Sequence, residues 1–212
     1  MITQTFDWPA FREVVTGTSG TGKTTLFEKM LRKEKARWKF IFDAKQGQFW
    51  QKYNHKPCFS FDEIEVAMGK GAWVVYDPVK EFPGNTPAAF VHFCKFLKLI
   101  MGEFPGRKIL GVEELQKCIP GLRDPQEFLE LLDTGRTFKL DVIANGQGLN
   151  RINCNVRNQI TKIYTFRQSD KNAISHLSEN GFDEEKIRTL QNGKFLWRNM
   201  DTGAAGEGGE AF

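Results

Sequence analysis

The chain has 212 residues, 40% of them hydrophobic and 26% charged, with 30 Lys+Arg against 26 Asp+Glu. That size suits one α/β domain around a single core, and so small a basic excess permits a nucleic-acid partner without demanding one. No apolar run reaches the roughly 18 residues of a membrane span, the opening MITQTFDWPAFRE lacks a signal-peptide core, and the cysteines (Cys58, Cys94, Cys118, Cys154) and histidines (His55, His92, His176) share no zinc-ligand spacing, so a cytosolic protein with free thiols is expected.

The first element is a strand candidate, REVVT at 12–16, whose short apolar run EVV leads into TGTSGTGKTT. Gly17-Thr18-Ser19-Gly20-Thr21-Gly22-Lys23-Thr24 fits the P-loop pattern G-x-x-x-x-G-K-[ST] at every fixed position. The glycines let the backbone turn tightly and aim its N–H groups at phosphates. The helix-like LFEKMLRK that follows would present its positive N-terminal end to the same anion. In this pattern Lys23 reaches the β- and γ-phosphates, the Thr24 hydroxyl ligates Mg²⁺, and Thr25 stands near the α-phosphate. The alternative is a chance match in a Gly-rich loop; the strand before and the helix after weigh against it.

Further along, KFIFD (39–43) and WVVYD (73–77) read as strands that end in acid, at Asp43 and Asp77. TPAAFVHFCKFLKLIM reads as an amphipathic helix, with Thr86 as N-cap, Pro87 in the first helical position, and Phe90, Phe93, Leu97, Ile100 and Met101 at helical spacing. The strand KILGVE (108–113) follows. DPQEF then opens a helix capped by Asp124, started by Pro125, with Glu127 as the capping-box acid and Gly135 as its stop. DVIANG (141–146), KIYTFR (162–167) and KFLWRN (194–199) complete seven strands, and DKNAISHLSENG reads as a helix ending at Gly181. Several strands apolar along their length, alternating with helices, predict a mainly parallel α/β sheet with helices on both faces, in one domain over 1–201; with the P-loop pattern, the expected fold is that of a P-loop NTPase. The Gly/Ala-rich tail, 202–212, is expected to be flexible.

A P-loop hydrolase needs an acid at the end of a neighbouring buried strand, to hold the metal shell, and a second group to orient water. KILGVEEL supplies both: Glu113 is assigned to the metal and Glu114 to the water, the alternative being a solvated loop start. Asp43 and Asp77 are rivals for the metal role, and for Asp77 a turn-capping role is favoured. DVIANGQGLN ends in polar residues, and the Gln147 amide could sense the γ-phosphate or hold water through its donor and acceptor. Asn145 and Gln147 as ordinary loop residues is the alternative.

The order of these motifs resembles the FtsK–HerA superfamily of DNA-translocating ATPases. It runs from the P-loop through FDAKQGQF, the acidic pair Glu113-Glu114 and TGRTFKLDVIANGQ to NVRNQITKIYTFRQSD and LQNGKFLWRN. Over residues 12 to 200 the chain looks most like the genome-packaging ATPases of tailless icosahedral viruses with internal membranes. That resemblance implies a ring of five or six copies that hydrolyses ATP with Mg²⁺ and moves double-stranded DNA. The place of work would be the host cytoplasm or a virion packaging vertex, with capsid-vertex or membrane proteins as further partners. It carries the acid pair onto Glu113 and Glu114, the sensor onto Gln147, and the arginine given to a neighbour's site onto Arg136, with Arg157 and Arg167 as rivals. The family usually has Asp where this chain has Glu113. Cellular members carry extra domains or anchors, and their absence here points to the compact viral type.

DNA phosphates would be met by Lys and Arg without sequence preference. The candidates are Lys117 and Arg123 in QKCIPGLRD, which follow the acidic strand, and secondarily Arg32, Lys33, Lys35, Arg37 and Lys39, which also read as a solvated helix end. Two other functions fit a small P-loop chain: a nucleotide or metabolite kinase, and an assembly or secretion ATPase without DNA. No arginine-rich lid is visible for the first, and members of the second usually carry a membrane span.

Overall fold

The computed structural model describes residues 10–45, 47–69, 73–120 and 125–209. In chain order it runs β1 (Arg12–Thr16), α1 (Lys23–Lys33), β2 (Trp38–Asp43), α2 (Gln48–Tyr53), β3 (Pro57–Cys58), α3 (Phe61–Met68) and β4 (Trp73–Tyr76). Next come α4 (Thr86–Ile100), β5 (Lys108–Glu113), α5 (Leu115–Cys118), α6 (Gln126–Phe138) and β6 (Leu140–Gly146). A 3₁₀ turn (Leu149–Arg151), α7 (Cys154–Arg157), β7 (Lys162–Thr165), α8 (Lys171–Glu179), α9 (Glu184–Thr189), β8 (Phe195–Asn199) and β9 (Ala205–Gly208) complete it.

All seven expected strands form, and two short ones, β3 and β9, join them in a sheet of order β3-β4-β2-β5-β6-β1-β7-β8-β9. Every pairing from β3 to β7 is parallel; β8 and β9 add antiparallel at one edge. Because parallel strands point the same way, their C-terminal ends share one edge. The register sets Thr16 beside Gly146 and Thr165, and Asp43 beside Glu113.

Alternation along the strands divides the core between the two faces. Phe40, Phe42, Leu110 and Val112 pack with α4 and α6 residues such as Phe90, Phe93 and Phe128. Ile41, Val75, Ile109 and Ile143 pack with Phe27 and Leu31 of α1 and with Phe49 of α2. Helices on both faces are thus present, as a doubly covered parallel sheet requires. One position sets the depth of α1. A Cβ built on Gly111 of β5 would lie 3.1 Å from Ile41, 3.2 Å from Phe27 and 3.3 Å from Leu31. The missing side chain therefore lets the helix that carries Lys23 lie close on the strand that carries Glu113.

Helix ends depart from the sequence reading in three places. The N-cap of α4 is Asn85, whose side chain accepts from Ala88 N, and Thr86 is already helical. Gly135 does not stop α6; it lies inside, with its Cα facing the Leu140 carbonyl, and the helix ends at Lys139 in the left-handed region (φ 53°). A helix end is decided by where the next strand must begin, and β6 starts at Leu140. The stop at Gly181 does form: Gly181 N donates to Ser178 O and Phe182 N to Leu177 O, the paired bonds of a Schellman motif. Asp124, the expected cap of α6, lies outside the described residues; Pro125, expected in the first helical position, is instead the N-cap residue (φ −77°, ψ 75°), its carbonyl accepting from Leu129 N, and the helix starts at Gln126. The tail expected to be flexible instead supplies β9, where Ala205–Gly208 pair antiparallel with β8. Glycines there leave room: a Cβ at Gly208 would strike the Phe195 ring at 2.3 Å.

Filling the space over Gly111 should loosen α1. Gly111→Val is expected to lower stability by about 2 kcal/mol through overpacking, read as a reduced midpoint in urea with an unchanged slope.

Candidate functional site: a phosphate cradle beside buried carboxylates

The P-loop joins β1 to α1. Gly17, Gly20 and Gly22 take φ values of 151°, 79° and 110°, conformations that other residues rarely adopt. Gly17 is further constrained, since its Cβ would lie 2.7 Å from that of Phe166. Gly22 caps α1 without a side-chain bond, and no acid occupies the first turn. The first amides of α1 are thus left for an anion, as the helix dipole favours. Thr21 Oγ1 donates to Thr18 O at 2.8 Å, and Thr18 N donates to Arg167 O at 2.9 Å, which fix the loop against the end of β7. Lys23 Nζ donates to Thr18 O at 2.7 Å. Burial lowers the Lys23 pKa to about 8, against the raising influence of Glu114.

The acid pair ends β5. Glu113 is fully buried and Glu114 nearly so, at 0% and 3% exposure. Thr24 Oγ1 donates to Glu113 Oε1 at 3.1 Å, across the gap between α1 and β5. Glu114 sits in the left-handed region at φ 52°, a strained setting for a side chain with a Cβ. It is held there by Asn145 Oδ1, which accepts from Glu114 N at 2.9 Å, and its carboxylate accepts from Gln116 Nε2. Lys45, which sequence reasoning passed over, lies between the acids, with Nζ 3.1 Å from Glu113 Oε1 and 3.0 Å from Glu114 Oε1. Burial works to lower the Lys45 pKa, but the two glutamates outweigh it and the net shift is upward.

The rival acids have other work. Asp43 accepts from the backbone N–H groups of Lys45, Gly47 and Phe49 at 3.0, 3.3 and 3.2 Å, which closes the turn into α2. Burial first, and then the Glu113 charge, push its pKa up from 3.8 to about 7. Asp77 accepts from Val79 N at 3.1 Å, within the turn after β4 as the turn-capping reading expects, and from Trp50 Nε1 of α2 at 3.0 Å.

The oxygens present fit a hard divalent cation. Glu113 Oε2 is buried and meets no donor among the described residues, while Thr24 Oγ1 stands beside the other carboxylate oxygen. Magnesium takes one or two such protein oxygens and completes its shell with water and phosphate.

The remaining expected residues are spread more widely. Gln147 follows β6 and is exposed; it borders a polar cavity of about 260 Å³ shared with Thr18, Ser19, Arg151 and Gln168. The buried polar residue of that strand end is Asn145, whose Nδ2 has no partner among the described residues. Gln168, not singled out from the sequence, is 2% exposed. In the orientation that satisfies its neighbours, its carbonyl accepts from Thr16 Oγ1 and Gly17 N, both at 3.0 Å, and its amide donates to Gln147 O. The signals were slight: Lys45 is a basic residue two places after a strand-end acid, and Gln168 a polar one just past β7. Thr25 Oγ1 accepts from Lys52 Nζ and Tyr53 Oη at 3.3 and 3.4 Å. Arg136 lies in the last turn of α6, exposed, at the sheet edge opposite the cradle, where it borders a depression with Arg12, Asp133 and Asp201. Arg157 lies against the His176 ring, and the Arg167 side chain is exposed beside the P-loop. Lys117 is exposed on α5 directly after the acid pair, whereas Lys39 is buried under Trp73, 4.6 Å from its ring, and cannot serve a surface role. Arg123 lies outside the described residues.

A family model described as RNA helicase matches residues 14–82, a stretch that holds the P-loop but not the acid pair. No curated protein matches the chain. Among solved structures, the chain is similar to the genome packaging NTPase B204 from Sulfolobus turreted icosahedral virus 2 in complex with ATP-gammaS. The two share 18% identity and a TM-score of 0.74, over 96% of this chain and 99% of that one. B204, the DNA-packaging ATPase from Sulfolobus Turreted Icosahedral Virus, gives 20% identity and a TM-score of 0.72, over 94% and 97% of the two chains. VirB4 of Thermoanaerobacter pseudethanolicus gives 10% and 0.65, over 93% and 88%. The fold is that of P-loop NTPases, shared with the packaging NTPases over nearly the whole length of both chains.

Two pH effects follow. Lys23 is charged below about 8, and a triphosphate selects that charged form. Nucleotide affinity should therefore fall as pH rises above 8, by up to about tenfold per unit, with proton uptake visible in calorimetry across buffers of different ionisation enthalpy. Asp43 keeps its proton in the folded chain up to about pH 7 but releases it near 3.8 when unfolded. Its contribution to stability is thus present below pH 4 and lost as pH rises toward 7. In chelator, the stability difference between wild type and Asp43→Asn should shift in favour of wild type as pH is lowered from 7 to 4, read from urea midpoints.

Proposed function

We propose that this chain is an ATPase of the FtsK–HerA type that packages a viral genome by moving double-stranded DNA, working as a ring of five or six copies. The observation that carries the reading is the pairing of a complete phosphate cradle with Glu113 and Glu114 at one sheet edge. It is joined by a likeness to packaging ATPases that spans nearly the whole of both chains.

In this reading, Gly17 to Thr25 hold the phosphates of ATP, and Thr24 and Glu113 hold Mg²⁺, whose charge would draw electrons from the β- and γ-phosphate oxygens. The Glu114 carboxylate accepts the proton of the attacking water, held in place by the backbone bond to Asn145. Gln147 stands on the P-loop side to sense the γ-phosphate. Arg136 faces away from its own cradle and is offered to a neighbouring copy, where a guanidinium stabilises charge on the transferring phosphoryl group. Lys117, just past the acids, meets DNA phosphates, so that movement of α5 would pass from hydrolysis to DNA. Capsid-vertex or membrane proteins are the further partners, in the host cytoplasm or at the virion vertex. No helix among the described residues is long and apolar enough to cross a membrane.

The helicase match over 14–82 favours a second reading, an NTPase stimulated by RNA. Hydrolysis assayed alone, with double-stranded DNA and with RNA separates the two. Stimulation by DNA is expected, with loss of about 10²-fold or more in Lys23→Ala, Glu114→Gln and Arg136→Ala. A mixture of Glu114→Gln with Arg136→Ala should regain activity, because intact halves of sites meet at some interfaces. Indifference to DNA, with Arg136→Ala behaving as wild type, would overturn the translocase reading.

A further inference from the structure

Three carboxylates with almost no exposure, Asp43, Glu113 and Glu114, converge where β2 and β5 end. Buried acids need cations or donors. Asp43 is supplied by three backbone N–H groups. The glutamates are supplied by Lys45. Its Nζ lies 3.1 Å from Glu113 Oε1, 3.0 Å from Glu114 Oε1 and 3.5 Å from Thr24 Oγ1. The anchor of this side chain is firm, since Lys45 N donates to Asp43 Oδ1 at 3.0 Å, but its four methylenes can swing and the side chain keeps 19% exposure.

Glu113 and Thr24 are the groups that, under the proposed function, hold the divalent ion. A magnesium ion needs carboxylate oxygens at about 2.1 Å; Lys45 Nζ is bonded to Glu113 Oε1, the oxygen that faces Thr24, so an ion held by both Glu113 and Thr24 must take the space the ammonium fills. We propose that Lys45 is a built-in counter-cation of the acid pair, which competes with the divalent ion for Glu113 and Thr24 and must swing aside when that ion binds. The inference rests on the proposed assignment of the metal to those two residues. It makes Lys45 a positioning residue that sets how readily the site is loaded and keeps the glutamates from repelling each other. Its release on loading leaves one ammonium free beside the phosphate cradle.

Competition has a signature that a purely structural role lacks: removing the lysine charge should strengthen metal binding. Mn²⁺ is the probe, with free Mn²⁺ counted by electron paramagnetic resonance, on the full chain with a non-hydrolysable ATP analogue. Lys45→Met, which keeps the length without the charge, should bind Mn²⁺ about tenfold more tightly than wild type, the reciprocal of the coupling between two ligands of one site. Without metal it should melt lower than wild type, and Mn²⁺ should raise its melting temperature by more. Lys45→Arg should stay close to wild type in both. If Lys45→Met does not fold, Lys45→Gln carries the same comparison. Equal or weaker Mn²⁺ binding in the uncharged variants overturns the proposal, as does an absence of Mn²⁺ binding in wild type. Failure of the proposed function shows elsewhere, as analogue binding that survives Lys23→Ala.

Discussion

The burial of several carboxylates at one edge of the sheet is the constraint on which the rest of this structure depends. Charged groups taken out of water must be met by donors or opposite charge. Each acid here is met differently. Asp43 takes three backbone amides and a raised pKa. Glu113 takes the Thr24 hydroxyl and the Lys45 ammonium. Glu114 shares Lys45, accepts from Gln116, and has its backbone tied to Asn145. The turn into α2 and the placement of Lys45 between the two glutamates both answer this need.

The sheet converts that constraint into a site. Parallel pairing lines up the ends of β1, β2, β5 and β6, so the cradle and the acids share an edge although β6 lies between their strands. Asn145 belongs to that intervening strand, and its side chain reaches across to the Glu114 amide. The lack of a side chain at Gly111 seats α1 on β5, which brings Thr24 within 3.1 Å of Glu113. The far edge of the sheet carries Arg136, well removed from its own cradle. The proposed ring would use both edges at once.

Much of this was legible in the sequence. The strands were readable because a strand covered on both faces carries an unbroken apolar run, as VV does in REVVT, ILGV in KILGVE and VIA in DVIANG. The cradle was readable because the P-loop is local: eight consecutive residues place their own backbone amides. The stop at Gly181 was readable for the same reason. Less legible were β9, whose glycines pair with β8 and fit against the Phe195 ring, and the end of α6, which waits on where β6 begins. Composition alone suggested a loose tail, because small residues look disordered until a partner strand is known.

By itself, the sequence determined the P-loop pattern, the run of alternating strands and helices, and the two adjacent acids at the end of β5, since each is written in neighbouring residues. Only the tertiary structure decided what those residues touch. Thr24 meets Glu113 across 89 positions, Lys45 meets it across 68, and Asn145 meets Glu114 across 31. Such contacts depend on strand order and register, which no local pattern encodes. For that reason Lys45 and Gln168 read as ordinary polar residues in the chain and stand beside the acids and the P-loop in the fold.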